Sequence, residues 1–208
     1  MRHHTTDPKT IGNLYLQMLK NLIDTISQTV SLTETDIQLC DTYFQLVTTS
    51  KNSIIEEQDK IPQYLYFIVS GFMRLFYYDE NGDEVTSHLS SANNFLASFL
   101  SFINQKRAKE NVECITECEL LRISRPDLVT LIDKSENFKK FSLIIFEQAI
   151  ASAEIRANDL ATLAAEQRYK KLMENQPTIL QNVPIQYIAS FLGIKPQSLS
   201  RIRRQIIM

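Results

Sequence analysis

Glycine is scarce: the chain has four in 208 residues. They form neither a Rossmann fingerprint nor a P-loop, which excludes the common glycine-built phosphate cradles. The three cysteines, Cys40, Cys114 and Cys118, are too few and too widely spaced for a disulfide framework or an iron–sulfur or metal site. Reduced, partly buried thiols are expected instead. The three histidines, His3, His4 and His88, give no heme or metal pattern and read as plain surface or strand residues. No apolar run is long enough to span a bilayer. The first ten residues, MRHHTTDPKT, lack the apolar core of a secretory signal. These absences lead to a soluble, cytoplasmic protein with no membrane partner, no metal and no cofactor. Hydrophobic residues make up 44% and charged residues 22%, enough for one large domain or a medium domain plus a small one.

A net charge of −2 is by itself unpromising for a nucleic-acid partner, but its distribution is uneven. From Glu166 onward there are seven basic residues (Arg168, Lys170, Lys171, Lys195, Arg201, Arg203 and Arg204) against Glu166 and Glu174, a net +5. The remaining 15 basic and 22 acidic residues give −7. The basic part contains IQYIASFLGIKPQSLSRIRR, residues 185–204. Ile185, Ile188 and Leu192 fall at helical spacing, as do Leu199 and Ile202. Gly193 stands where a first helix would end in the left-handed conformation, and Pro184 and Pro196 stand where helices open. Ala189 is small where a second helix would cross. Two short helices joined by a glycine turn make a helix-turn-helix, whose second helix enters the DNA major groove. That helix carries Gln197, Ser198, Ser200, Arg201, Arg203 and Arg204, with Lys195 just before it, all side chains suited to base edges and phosphates. An ordinary helical hairpin in a core would share half of this pattern but not the basic second helix.

Upstream, an amphipathic helix is expected over about 11–26. A second follows Ser31 or Thr33 as cap and carries Ile37, Leu39, Cys40, Phe44 and Leu46. Between Val47 and Ser124 short apolar runs alternate with turn signals, Ser70-Gly71 and Asn81-Gly82 among them, which predicts an antiparallel barrel or jelly roll. Ser124-Arg-Pro-Asp opens another helix. A long helical stretch without glycine or proline is then predicted from about Phe138 to Asn175, ending at Gln176-Pro177. Within it Leu143, Phe146, Ile150, Ala153, Ala157, Leu160 and Ala164 make a heptad seam, read as a parallel homodimer interface. Phe141, Ile144, Ile145 and Ile155 lie off the seam and would face the barrel.

The order of barrel, long helix and helix-turn-helix resembles the Crp/Fnr family of bacterial transcription regulators. The resemblance rests on YLYFIVSGFMRL (64–75), CELLRIS (118–124) and YIASFLGIKPQSLSRIR (187–203), and covers about Ser31 to Ile206. It implies an α+β chain: N-terminal helices, an antiparallel double-stranded β-helix (jelly roll) of cyclic-nucleotide-binding type, a dimerisation helix and a C-terminal winged-helix-type domain. The expected division is 1–137, 138–165 and 166–208. In many members a Glu, a Ser and an Arg on the second helix touch bases; Gln197, Ser200 and Arg201 match. Glutamine in place of glutamate favours adenine over cytosine at that base. Lys195 stands where a Thr is frequent. The β-hairpin wing that often follows the second helix is not seen after it.

Cyclic-nucleotide binders of the family carry Gly-Glu-Leu and, ten residues beyond that Glu, Arg-Ser. The matching positions are Ala97-Ser98-Phe99 and Ala108-Lys109, which supply neither the ribose acceptor nor the phosphate guanidinium. Arg107 and Lys109 flank the place and could rescue a phosphate contact. The expectation is that cyclic AMP does not bind, and that the barrel is empty or takes another effector. The N-terminal cysteine cluster of oxygen-sensing members is absent.

The leading function is therefore a dimeric DNA-binding regulator, with duplex DNA, a second copy and RNA polymerase as partners. A ligand- or protein-binding module acting mainly by protein interaction is the alternative. A cupin-type enzyme needs a histidine–carboxylate cluster inside its barrel, and only His88 is there; the chain is read as a non-enzyme.

Overall fold

A computed structural model describes residues 8–207, with side chains for 12–206. His3 and His4 lie outside the described residues.

Helix α1 (Pro8–Ser27) buries Met18, Leu22 and Ile26 at four-residue spacing against the barrel. Helix α2 (Glu34–Tyr43) starts at a reciprocal cap. Thr33 Oγ1 accepts from Asp36 N at 3.2 Å, and Asp36 Oδ2 accepts from Thr33 N at 2.8 Å. The helix ends before Phe44 and Leu46, which the sequence places on it. Phe44 turns extended as the cap residue, and Leu46 belongs to a strand paired with Leu121.

Eight strands follow: β1 (Gln45–Thr49), β2 (Ser53–Glu56), β3 (Tyr64–Ser70), β4 (Phe72–Tyr78), β5 (Glu84–Ser91), β6 (Phe95–Leu96), β7 (Asn111–Cys114) and β8 (Cys118–Ser124). They form two four-stranded antiparallel sheets, β1-β8-β3-β6 and β2-β7-β4-β5. The chain changes sheet at every connection except the β4–β5 hairpin, as a jelly-roll barrel requires. Gly71 turns the β3–β4 corner at φ +97, and a Cβ there would lie 2.5 Å from Cys118 Sγ, so only glycine fits. Gly82 (φ +82) turns the β4–β5 hairpin expected from Asn81-Gly82. Between β6 and β7 lies helix α3 (Phe99–Asn104), too short to show a sequence period.

Ser124 caps helix α4 (Arg125–Lys134), and Ser135 caps helix α5 (Glu136–Thr162). Phe138, Phe141, Ile145 and Phe146 pack the first half of α5 on the barrel. Phe95 and Phe141 stand 5.5 Å apart, Phe99 and Phe146 6.0 Å.

The uninterrupted helix expected over 138–175 is two helices. Leu163 and Ala164 are extended, and helix α6 (Ala165–Asn175) starts anew. Gln167 Oε1 accepts from Ala164 N at 2.9 Å, and the Arg168 guanidinium donates to Leu163 O. These bonds satisfy backbone groups that the broken ladder frees. Pro177 opens helix α7 (Pro177–Asn182), followed by α8 (Ile185–Phe191) and α9 (Pro196–Ile207). Tyr169, Leu172, Ile179, Ile188, Ala189, Leu199 and Ile202 form a second core, which takes in Leu89 and Ile115 from the barrel.

Candidate nucleic-acid interface and sensor pocket

Helices α8 and α9 are joined by a tight turn. Gly193 is left-handed (φ +67), and Ile194 N donates to Ala189 O at 3.0 Å. Buried Ala189 lets the chain return closely over α8. Leu199 and Ile202 anchor α9 in the second core. Its other faces are left to the polar residues: Lys195, Gln197, Arg201 and Arg204 are exposed, and Ser198, Ser200 and Arg203 are half-buried. Gln197, Arg201 and Arg204 recur at helical spacing, so they share an outward face. The seven sequence-predicted residues thus lie on one helix and its entry, with Arg203 turned further toward the core than Arg204.

The module is fixed to the barrel by groups the sequence did not reveal. Arg74 on β4 is only 1% exposed. It donates to Glu113 and Glu84, and to Thr86 Oγ1 at 3.3 Å. Its guanidinium lies over the Tyr187 ring of α8. Ser190 Oγ accepts from Thr86 N at 2.8 Å and donates to Glu84 O at 3.2 Å. Arg156 on α5 donates to Thr86 O at 2.9 Å and Phe191 O at 3.1 Å. Within the module itself, Arg168 donates to Leu192 O at 3.0 Å and ties α6 to the turn. A lone arginine inside an apolar strand (Met73-Arg-Leu-Phe) was the available signal, because a buried charge needs partners.

In the barrel, Ala97, Ser98 and Ala108 are buried, Phe99 is half-buried, and Arg107 and Lys109 are exposed. Arg107 donates outward to Asp59 O at 2.8 Å. That contact draws it away from the phosphate-rescue role considered for it. The acidic residue beside this place is Glu110, which the sequence did not single out. The Ser98 hydroxyl donates to Glu110 at 3.3 Å, and Ser87 donates to its other oxygen. Burial, then the nearby Arg156 charge, push His88 down to about 4, so its ring is neutral at neutral pH. No group of three or more His, Cys, Asp or Glu able to hold a metal occurs among the described residues. No described helix is long and apolar enough to cross a membrane.

Along α5, Leu143 (59% exposed), Ile150 (67%), Ala153 and Ala157 are open. Three seam positions differ from expectation. Phe146 is half-buried against the barrel. Leu160 packs against the Gly193 turn. Ala164 lies in the break and not on the helix. Ile155, expected to face the barrel, is 50% exposed; at this level of α5 it is the neighbouring Arg156 that turns to the barrel and donates to Thr86 O.

Residues 46–135 match the cyclic nucleotide-binding domain family. Three solved structures share the fold. FixK2 of Bradyrhizobium japonicum is 14% identical, with 78% of this chain and 84% of that one covered and a TM-score of 0.69. The c-di-GMP-responsive global regulator CLP of Xanthomonas campestris is 16% identical, covering 84% and 91%, with a TM-score of 0.65. A protein of Eubacterium rectale assigned to the crp/fnr family of transcriptional regulators is 15% identical, covering 84% and 83%, with a TM-score of 0.64. No curated protein matches the chain. The chain thus carries a cyclic-nucleotide-binding-like domain within a Crp/Fnr-type fold, in keeping with the resemblance seen in its sequence.

Proposed function

We propose that this Crp/Fnr-type chain is a homodimeric, DNA-binding transcription regulator that reads a two-fold operator and acts without catalysis. The observation that carries this reading is α9. Its apolar face is spent on the second core, while Gln197, Arg201 and Arg204 stand exposed on the other side. A helix presenting amide and guanidinium donors suits the major groove, where each base edge offers its own acceptor pattern. The proposed division is 1–137 as sensor barrel, 138–165 as dimerisation helix and 166–208 as DNA-binding module.

The open part of α5 supports dimerisation. Leu143, Ile150, Ala153 and Ala157 present apolar surface that a second copy would cover, and two-fold pairing would place two copies of α9 on successive half-sites. The barrel is proposed not to take cyclic AMP, since Glu110 already occupies the serine hydroxyls beside Ala97 and Ala108.

Genome-wide capture of bound DNA, followed by a shift assay on the recovered duplex against random-sequence competitor, tests the reading. A recovered inverted repeat bound in preference to competitor is the expected result. Equal binding to random duplex would reject it in favour of a protein-binding module.

A further inference from the structure

Strand β5 lies at the edge of its sheet, after β2, β7 and β4. An edge strand points unpaired N–H and C=O groups outward. Its ladder with β4 also carries one residue too many. Leu75 stands opposite His88 and Phe76 opposite Thr86, which leaves Ser87 as a bulge.

The bulge joins two environments through adjacent residues. Thr86 is 0% exposed and serves the C-terminal helices. Its N–H donates to Ser190 Oγ at 2.8 Å, and its carbonyl accepts from Arg156 at 2.9 Å. Arg156 also donates to Phe191 O at 3.1 Å, and Arg74 donates to Thr86 Oγ1 at 3.3 Å. Ser190 and Phe191 are the last two residues of α8, directly before the turn into α9. Ser87 serves the barrel instead. Its hydroxyl donates to Glu110 and lies 3.3 Å from Leu75 O. Glu110 precedes β7 and also accepts from Ser98, just before α3, at 3.3 Å. One carboxylate thus ties the bulge to two other segments of the barrel.

We infer that Ser87 and Glu110 are positioning residues for the DNA-reading helix α9, which they never touch. The inference rests on the regulator reading given above. A bulge holds its place in a ladder only while something fixes the extra residue, and a one-residue slip turns side chains to the other face. Glu110 fixes Ser87. Ser87 keeps Thr86 pointing at α8, and Thr86 holds Ser190 while sharing Arg156 with Phe191. Removing the Ser87 hydroxyl frees the bulge, and the end of α8 loses its seat on the sheet edge.

The test compares the full-length wild type with Ser87→Ala, Glu110→Ala, Ser190→Ala and Ser87→Thr. In Ser87→Ala, amide exchange of Thr86 and of α8 should quicken about threefold to tenfold, the worth of one hydrogen bond. Exchange in β8, on the other sheet, should stay unchanged. Glu110→Ala should reproduce that pattern, and Ser87→Thr, which keeps the hydroxyl, should match the wild type. Ser87→Ala combined with Ser190→Ala should exchange no faster in α8 than Ser190→Ala alone, since both cut one path. Operator affinity of Ser87→Ala should fall by the same factor, with affinity for random duplex and the salt slope unchanged, because every donor of α9 is still present. Unmoved α8 exchange, additive effects in the double variant, or equal damage from Ser87→Thr overturns the inference. So does a parallel loss of operator and random-duplex binding, which marks a merely structural role. The exchange measurements need no DNA. If they hold while no duplex is preferred, the regulator reading fails alone; if an operator is bound while α8 exchange is unmoved, this inference fails alone.

Discussion

The guanidinium carbon of Arg74 stands 3.6 Å from the ring centroid of Tyr187, joining the barrel strand β4 to helix α8. The same guanidinium is held by Glu113 and Glu84, so the ring meets a cation that cannot swing aside. Tyr187→Ala should loosen the C-terminal helices from the barrel by about 0.5–2 kcal/mol, the range of a partly desolvated cation–π contact. Faster hydrogen exchange in α8, with the barrel unchanged, is the expected signature. Arg74→Met is a different lesion. It leaves Glu113 buried without its partner and should cost about 3–5 kcal/mol of whole-chain stability in denaturant titration. If the two variants behave alike, the contact is not specific.

For the DNA interface, Arg201→Ala should weaken specific binding by about 1–3 kcal/mol if its guanidinium reads a guanine. It is exposed one turn beyond Gln197 on the same helix. Arg204→Ala should act through phosphate instead, lowering the salt slope by about one unit across all sequences. Unchanged operator affinity for Arg201→Ala would sink the assignment.

Assembly is tested at Ile150. A glutamate there puts two like charges into the proposed apolar contact, and Ile150→Glu should sediment as a monomer. A wild-type monomer at micromolar concentration would refute the seam. Phe146→Ala separates the two faces of α5: its contact is with Phe99, so it should lower stability by about 3–5 kcal/mol while leaving any dimer intact.

Acid should destabilise the fold in two stages. His88 is held at about 4 against an ordinary value of 6.5. The unfolded chain therefore takes up a proton before the folded one does, and stability falls as pH drops from about 6.5 to about 4. The loss is on the order of 1–3 kcal/mol, and His88→Asn should remove it. Asp36 governs the second stage. Burial alone would raise its pKa; hydrogen bonds from Ser135, Thr33 and Asn137 outweigh that and hold it near 2. Its stabilisation is present above the ordinary value of 3.8 and disappears as pH falls toward 2. Thermal melts from pH 7 to pH 2 would display both stages, and a flat response above pH 4 would contradict the His88 assignment.

Much of this architecture is written in short-range chemistry. Thr33 and Ser124 with Asp three residues on, Gly71, Gly82 and Gly193 at positive φ, and Pro177 and Pro196 at helix starts each act within a few residues. The break at Leu163–Ala164 lacked such a sign. Its cap position is alanine, and the groups that stabilise it are Gln167 and Arg168, whose role depends on Leu192 being nearby. The same limit hid Glu110. Its partners Ser87 and Ser98 come from β5 and the start of α3, a meeting that only the folded barrel creates. Phe146 fits a heptad by spacing, yet α3 supplies Phe99 to meet it, which a one-dimensional period cannot foresee.

Cyclic AMP should not bind usefully. A cyclic phosphate carries one negative charge, and a charge entering a barrel must be paired and hydrogen-bonded. A guanidinium would give a two-donor fork, and buried Ala108 offers none. Arg107 would have to leave Asp59 O and turn inward, while Lys109 is exposed and well hydrated. The nearest hydroxyls, Ser87 and Ser98, already serve the Glu110 carboxylate, so a phosphate would meet a like charge and compete for its donors. Ser98 is also too short and uncharged to replace a ribose-binding glutamate. Two missing charge-assisted contacts, at about 1.5–3 kcal/mol each, lower affinity by roughly two to four orders of magnitude. Calorimetry with cyclic AMP and cyclic GMP should therefore give no heat at micromolar concentration. A dissociation constant below about 10 µM, where each tenfold step is worth about 1.4 kcal/mol, would show that Arg107 does turn inward. Glu110→Gln separates the two causes. If repulsion by Glu110 alone excluded the nucleotide, this variant would bind; because the phosphate guanidinium is also missing, it should stay silent.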